Sequence, residues 1–219
     1  MFFYPATSII GLALAGLLPR NLWFQGTRFS RYVVVSGDEE ISVCRAAGLP
    51  YNSLLKLGSP VFEKIIGQLQ FRSSIRKQLA NDFGYSPTSK VLIFAIPVVW
   101  EHKMVSKQSQ FDVLDEILNV LSTISSSSPE NTVILLSLHP KSNYDDYVQL
   151  ASRYNAFIVP ASLSDFLTAA DYFIGGAYSS TLRWAIALNI PAVNIDFWDV
   201  DEPTYHHFDE PNTIQTIDQ

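Results

Sequence analysis

From about residue 88, short wholly apolar runs alternate with longer segments whose apolar residues recur every three or four positions. The apolar runs predict strands over 90–96, 132–138, 156–159, 172–174 and 191–195. Between them, Leu114, Ile117, Leu118, Leu121 and Ile124 share one helical face, predicting a helix over 112–124 that the serines at 125–128 and Pro129 break. A second helix over 143–153 has Asn143 as its cap, Asp145 and Asp146 in the first turn and Arg153 in the last. A third, over 162–170, opens on Ser162-Leu163-Ser164-Asp165, which has the form of a capping box. A fourth runs over 181–188 and stops at Asn189 and Pro191. Strands that are apolar throughout belong in a parallel sheet covered on both faces. The expected fold is therefore α/β, a doubly wound parallel sheet of Rossmann-like type.

The first 60 residues are less regular. They predict a strand over 32–35, a helix over 39–47 stopped by Gly48 and a strand over 53–57. Phe62, Ile65, Ile66 and Leu69 then begin a helix expected to reach about Leu79. The apolar run 9–18 is shorter than the roughly 20 residues that span a bilayer. No basic residue precedes it, so it reads as a buried helix with Gly11 and Gly16 allowing close packing. The opening is too short for a complete second domain, and the end lacks an evident closing helix. The expectation is a piece of a larger protein.

Of the 219 residues 47% are hydrophobic, enough for a sizeable core. The net charge of −6, with no basic stripe, argues against nucleic acid as a partner. After Arg183 no Lys or Arg follows, while acids from Asp196 to Asp218 do, which reads as a solvated surface. The single Cys44 excludes an internal disulfide, fits a reducing, cytoplasmic setting and reads as a small buried hydrophobe. Trp23, Trp100, Trp184 and Trp198 read as core or interface residues.

Two motifs fall where a parallel sheet presents a ligand, beyond the carboxyl ends of strands. Leu138-His139-Pro140-Lys141 follows one predicted strand; Gly175-Gly176-Ala177-Tyr178-Ser179-Ser180 joins another to a helix. His139 could donate to a phosphate oxygen or handle a proton, and Lys141 adds positive charge. Ser179 and Ser180 could offer hydroxyls and N–H groups at a helix start, or simply cap it. Gly175 and Gly176 let backbone approach a ligand closely, or make a tight turn. The pair points to a nucleotide-type ligand, although no Gly-x-x-x-x-Gly-Lys-Ser/Thr phosphate loop is present. Glu101 and His102 lie on the same expected rim, as an acid–base pair, a substrate clamp or a solvated loop. His206-His207 sits among acids, yet adjacent histidines rarely suit one metal, so neither metal nor cofactor is expected.

These motifs resemble those of the C-terminal, donor-binding half of GT-B-fold enzymes. Leu138-His139-Pro140-Lys141 looks like the "HP" motif, and Tyr178-Ser179-Ser180 with Ala185 and Pro191 like the serine motif, of bacterial sialyltransferases and teichoic acid glycerophosphotransferases. Gly58-Ser59-Pro60-Val61-Phe62 is similar to the interdomain crossing of these enzymes and of hydrolysing UDP-N-acetylglucosamine 2-epimerases. The resemblance covers about 32–200. It implies that residues 1–60 are a remnant of the acceptor-side domain and linker, and that 61–219 are the nucleotide-sugar-binding domain. His139, Ser179 and Ser180 would bind the donor's phosphates, and the loop from Val159 through Pro160 to Leu163 would hold the base through backbone groups. Related enzymes often carry an acid in the helix after the serines, where Arg183 and Trp184 stand here. The implied activity is glycosyl transfer from a CMP-, CDP- or UDP-linked donor to a sugar or glycan acceptor in cell-surface polysaccharide synthesis. The general base would come from the acceptor domain, and the fragment alone would be inactive. Peripheral membrane association through the missing part is a further expectation, and apolar surface left exposed near Ile9 to Leu18 favours self-association. A sugar-nucleotide 2-epimerase and a non-catalytic nucleotide-binding or interaction domain are the alternatives.

Overall fold

The computed structural model describes Leu14 and residues 31–127, 131–176, 179–195, 197–198 and 214–217, with Glu39 and 214–217 described by backbone alone. The expectations for the run 9–18, for Trp23, for Ala177 and Tyr178, for His206-His207 and for most of the acidic end lie outside these residues. Two compact units divide the chain, Met1–Pro60 and Val61–Gln219.

The first unit contains one βαβ element. Strands β1 (Val33–Val35) and β2 (Leu54–Lys56) pair in parallel, and helix α1 (Asp38–Ala46) connects them. Val35, Cys44, Leu49 and Leu54 form its small core, which places the lone cysteine inside as expected. Glu40 reaches back to accept from the Ser36 N–H at 2.7 Å, satisfying a donor ahead of α1.

The second unit opens with α2 (Pro60–Gly67), whose proline occupies the first helical position, where its missing N–H costs nothing. A 3₁₀ turn (Gln68–Phe71) separates it from α3 (Arg72–Phe83). The single helix expected to about Leu79 is therefore two, and α3 ends on Gly84 in the left-handed region at φ 73. Then follow β3 (Lys90–Ala95), α4 (Lys107–Ser127), β4 (Thr132–Ser137), α5 (Tyr144–Arg153), β5 (Phe157–Ile158), α6 (Leu163–Phe166), β6 (Tyr172–Gly176), α7 (Thr181–Ala187), β7 (Ala192–Ile195) and β8 (Ile214–Ile217).

The six strands are all parallel in the order β5-β4-β3-β6-β7-β8. Growth outward from β3 through β4 to β5, then from β6 outward on the other side, is the doubly wound arrangement. Side chains of β3 alternate between two buried layers: Val91, Ile93 and Ala95 join α2, α3, α6 and α7 residues, while Phe94 and Ile96 join those of α4 and α5. Burying each such large side chain contributes about 1.5–3 kcal/mol, so both helix layers are held by the same strand. On the α4 face an apolar groove of about 480 Å³ runs between Val113, Val120 and Ile124 on the helix and Ile174, Val193 and Phe197 beside it. Among the described residues no helix is long and apolar enough to cross a membrane.

Four local expectations are corrected. The serines at 125–127 continue α4 rather than break it, their competing hydroxyls absorbed as Ser126 and Ser127 donate to the carbonyls of Ser122 and Thr123. That helix also begins earlier, where the Ser106 hydroxyl caps it by accepting from the Ser109 N–H at 3.1 Å. Asn143 and Ser162 occupy N-cap positions, yet neither side chain makes a capping bond; Ser162 instead pairs with Ser164 at 3.0 Å. Strand β8, absent from the sequence reading, adds an edge beyond β7.

At the amino end of the sheet, Asp171 holds three elements together. It accepts from Arg72 Nη2, Arg76 Nη1 and the Val91 N–H, each at 2.8 Å. Burial alone would raise its carboxyl pKa, but Arg76, the Val91 N–H and Arg72 outweigh it and hold the value below that of an ordinary aspartate. A depressed folded-state pKa contributes stability above the unfolded carboxylate range, and that stability is lost as pH falls. Asp171→Asn should cost about 2–3 kcal/mol in urea unfolding at pH 7, below the full cost of breaking a buried pair because Arg72 is partly exposed. The gap between variant and wild type should shrink below about pH 4. A gap that is constant from pH 7 to pH 2.5 would contradict the assignment.

Candidate functional site

The strands bring their carboxyl ends to one level. Ser137 of β4, Ala95 of β3, Gly175 of β6 and Asn194 of β7 are register partners across the sheet. Neighbouring strands lie about 4.8 Å apart, so the loops that follow leave the sheet side by side. Strand order reverses between β3 and β6, where open α/β sheets form their ligand crevice.

The loop after β4 is a tight turn. The Ser142 N–H donates to the His139 carbonyl at 2.8 Å, with Pro140 at the second position, where its fixed φ favours the turn. The Lys141 N–H donates to His139 Nδ1 at 3.1 Å, which leaves the neutral ring's proton on Nε2. Burial lowers the His139 pKa below the ordinary histidine value, and Lys141 and His102 lower it further, against an upward pull from Glu101. His139 is thus a neutral Nε2–H donor at pH 7. Lys141 Nζ donates to His102 Nε2 at 3.2 Å, and the His102 and His139 rings meet edge to face with centroids 6.4 Å apart. His102, His139 and Lys141 therefore form one exposed, donor-rich cluster.

Glu101 and His102, read from sequence as an acid–base pair, a substrate clamp or a solvated loop, face different ways. Glu101 Oε1 accepts from the Ser142 hydroxyl at 2.7 Å and the Tyr147 hydroxyl at 2.8 Å. Tyr147 in turn accepts from Gln110 Nε2 at 3.0 Å and Trp100 Nε1 at 3.4 Å. Gln110 also donates to the Pro97 carbonyl at 3.0 Å and accepts from the Trp100 N–H at 2.9 Å. Tyr147 and Gln110 are fully buried. Burial is the largest cause raising the Tyr147 pKa, so the phenol remains a donor to the carboxylate. Sequence reasoning missed this network. Its signal was Gln110, a polar residue on the same stripe of α4 as Leu114, Ile117 and Leu121, which demanded buried partners.

Gly175 and Gly176 belong to β6 rather than to a loop. A Cβ on Gly175 would lie 2.9 Å from Leu182 Cγ, and one on Gly176 only 2.7 Å from Pro97 Cβ and Cγ. The room these glycines leave is taken by α7 and by the start of the β3 loop, so they set the width of the switch point. Ser179 shares a short hydrogen bond with Thr181, and Ser180 is the exposed N-cap of α7 without a side-chain capping bond. Trp184 is partly buried and packs against the core. Beyond β5, Pro160 is exposed and the Leu163 side chain is buried in the core. Lys64 of α2 ties that loop down, donating to Asp165 at 2.6 Å and to Ser164 at 3.1 Å. Among the described residues no three metal-ligating side chains gather.

No protein-family profile matches the sequence, and no curated protein matches it. Solved structures do. A histidine-to-alanine variant of the wall teichoic acid polymerase TagF superposes with a TM-score of 0.58 at 17% identity, over 85% of this chain and 45% of that one. The UDP-GlcNAc 2-epimerase of Methanocaldococcus jannaschii, solved with UDP-GlcNAc and UDP, superposes with a TM-score of 0.54 at 12% identity, over 86% of this chain and 50% of that one. The fold is that of a GT-B C-terminal half. A TagF variant soaked with CDPG also matches, with a TM-score of 0.51 at 16% identity over 75% of this chain and 38% of the other. This GT-B-like chain thus spans half or less of the structures it resembles.

Gly176→Ala tests the switch-point packing. The methyl would meet a proline ring that cannot turn away, so a loss of about 1–3 kcal/mol is expected in thermal or urea unfolding. Gly67→Ala, where nothing lies within 4 Å of the added Cβ and the backbone is already helical, should instead stabilise by about 0.4–1 kcal/mol. Equal effects at both positions would contradict the close approach.

Proposed function

We propose that the second unit binds the phosphate end of a nucleotide-activated sugar at this rim, as the donor half of a GT-B-type glycosyltransferase acting in cell-surface polysaccharide synthesis. The observation that carries the reading is the alignment of the β4, β3 and β6 ends, which puts the His139–Lys141 turn beside the switch point. His139 and Lys141, with Ser179 and Ser180 across β3, are the phosphate-binding groups. Gly175 and Gly176 let α7 and the start of the β3 loop close over the strand ends beside the ligand. The backbone of the loop from Val159 through Pro160 to Leu163 holds the base.

In transfer, the bond between the sugar's anomeric carbon and the phosphate oxygen breaks, and negative charge grows on the leaving phosphate. Donors already in place where that charge appears lower the barrier without reorganising. The neutral His139 Nε2–H and the Lys141 ammonium are such donors, and the lysine's charge makes a divalent metal unnecessary in this reading. In this reading the general base comes from an acceptor-side domain, and transfer needs base and donor held together. Support comes from TagF soaked with CDPG and an epimerase solved with UDP-GlcNAc and UDP, both on the same fold. A non-catalytic nucleotide-binding domain is the second reading, favoured by Trp184, a core-packed residue where related enzymes often carry an acid.

Calorimetric titration with CMP, CDP, UMP and UDP tests the proposal. Binding in the micromolar-to-millimolar range is expected, weakened at least tenfold by His139→Ala or Ser180→Ala, as loss of a charge-assisted hydrogen bond of about 1.5–3 kcal/mol implies. EDTA should leave the affinity unchanged. Binding that both substitutions leave intact would contradict the placement, and multiple turnovers by the purified chain would contradict the division of labour.

A further inference from the structure

We propose that Glu101 is a positioning residue of this rim: its carboxylate locks the loop after β3 to the His139–Ser142 turn and so fixes where His139 and Lys141 meet a phosphate. The proposal rests on the phosphate-binding reading of His139 and Lys141. Glu101 itself acts through its neighbours. Oε1 already accepts two hydrogen bonds, and Oε2 is buried with no hydrogen-bond partner.

The link on one side is short. Ser142 donates its hydroxyl to Glu101 and its N–H to the His139 carbonyl, so one residue stands between the carboxylate and the histidine backbone. On the other side the chain of bonds passes through Tyr147 to Gln110, and Gln110 grips the loop at Pro97 and at Trp100. Residues of α4, α5, the β3 loop and the β4 turn thereby share one network, most of it shielded from water. Inside a protein such bonds strengthen one another, and a missing partner is felt along the whole chain. The loop carries one further mark of constraint, since Lys103 is held in the left-handed region at φ 62, uncommon for a residue with a side chain.

The burial of Oε2 has an electrostatic use. The groups facing His139 are Lys141 on its own turn and His102 and Glu101 on the β3 loop. Glu101 is the anion among them. A carboxylate satisfied on one oxygen and shielded on the other keeps its field inside the rim, where it opposes the positive charge of Lys141. Because the unpartnered Oε2 is buried and Oε1 already holds two hydrogen bonds, Glu101 does not present a base to a ligand.

The test uses the whole chain and three readouts: the His139 pKa by NMR titration without ligand, calorimetric affinity for CDP and UDP, and the thermal midpoint. Glu101→Gln keeps the side chain's size and removes its charge; the His139 pKa should fall below the wild-type value. Ser142→Ala cuts the tie to the turn and spares the Tyr147 bond. It should weaken CDP or UDP binding about tenfold while the thermal midpoint stays near wild type. An unmoved His139 pKa in Glu101→Gln, or wild-type affinity in Ser142→Ala, would overturn the proposal. A lowered midpoint with neither change would likewise reduce Glu101 to a structural role. If the wild type binds no nucleotide, the functional reading fails, whereas a drop in the His139 pKa on Glu101→Gln would still uphold the coupling.

Discussion

The register of β3 against β4 on one side and β6 on the other is the constraint on which this molecule depends. A slip of one residue would exchange the two faces of β3, sending Val91, Ile93 and Ala95 into the layer that Phe94 and Ile96 now fill. Both faces are apolar, so hydrophobicity alone discriminates weakly between registers. Fixed points at the two ends decide it. At the amino end Asp171, just before β6, accepts the Val91 N–H along with two guanidinium groups. At the carboxyl end Gly176 of β6 admits the Pro97 ring where any side chain would collide. With both in place, the loops after β4, β3 and β6 emerge at one height.

What those loops carry follows from that height. The turn after β4 and the loop after β3 are joined by hydrogen bonds rather than by apolar packing, unlike the layers beneath them. Such a network is costly when incomplete and rigid when complete. Here Gln110 is satisfied at every polar position of its amide and is fully buried. Above it the exposed His102, His139 and Lys141 present donors to solvent. Rigid polar support under a donor-rich surface is the arrangement that phosphate recognition needs, because preorganised donors lose little freedom on binding.

Much of the sheet was legible because its strands are short and apolar throughout and its helices carry a clear periodicity. The parallel, doubly wound class followed from that alternation. The serine stretch at 125–127 misled because serine's low helix propensity is a weak prior, which the continuation of α4 overrides. Strand β8 was missed because Ile214 and Ile217 flank polar residues and make no apolar run. At the rim, His139 and Lys141 were found because they directly follow a strand. Gly175 and Gly176 were singled out for close approach to a ligand or for a tight turn, whereas what crowds them inside the fold is Leu182 and Pro97. The partners of Glu101 were hidden, since Ser142 and Tyr147 lie some forty residues away and only the β3–β4 pairing brings them near.

The most direct test of the central claim, that a nucleotide phosphate sits at the aligned strand ends, is backbone amide chemical-shift mapping during titration with CDP or UDP. The account predicts the largest shifts at His139, Lys141, Ser142, Ser179 and Ser180, with the amides around Asp171 and Val91 at the opposite end of the sheet unmoved. Saturable shifts centred on those amino-end residues, or on the apolar groove beside α4, would contradict it.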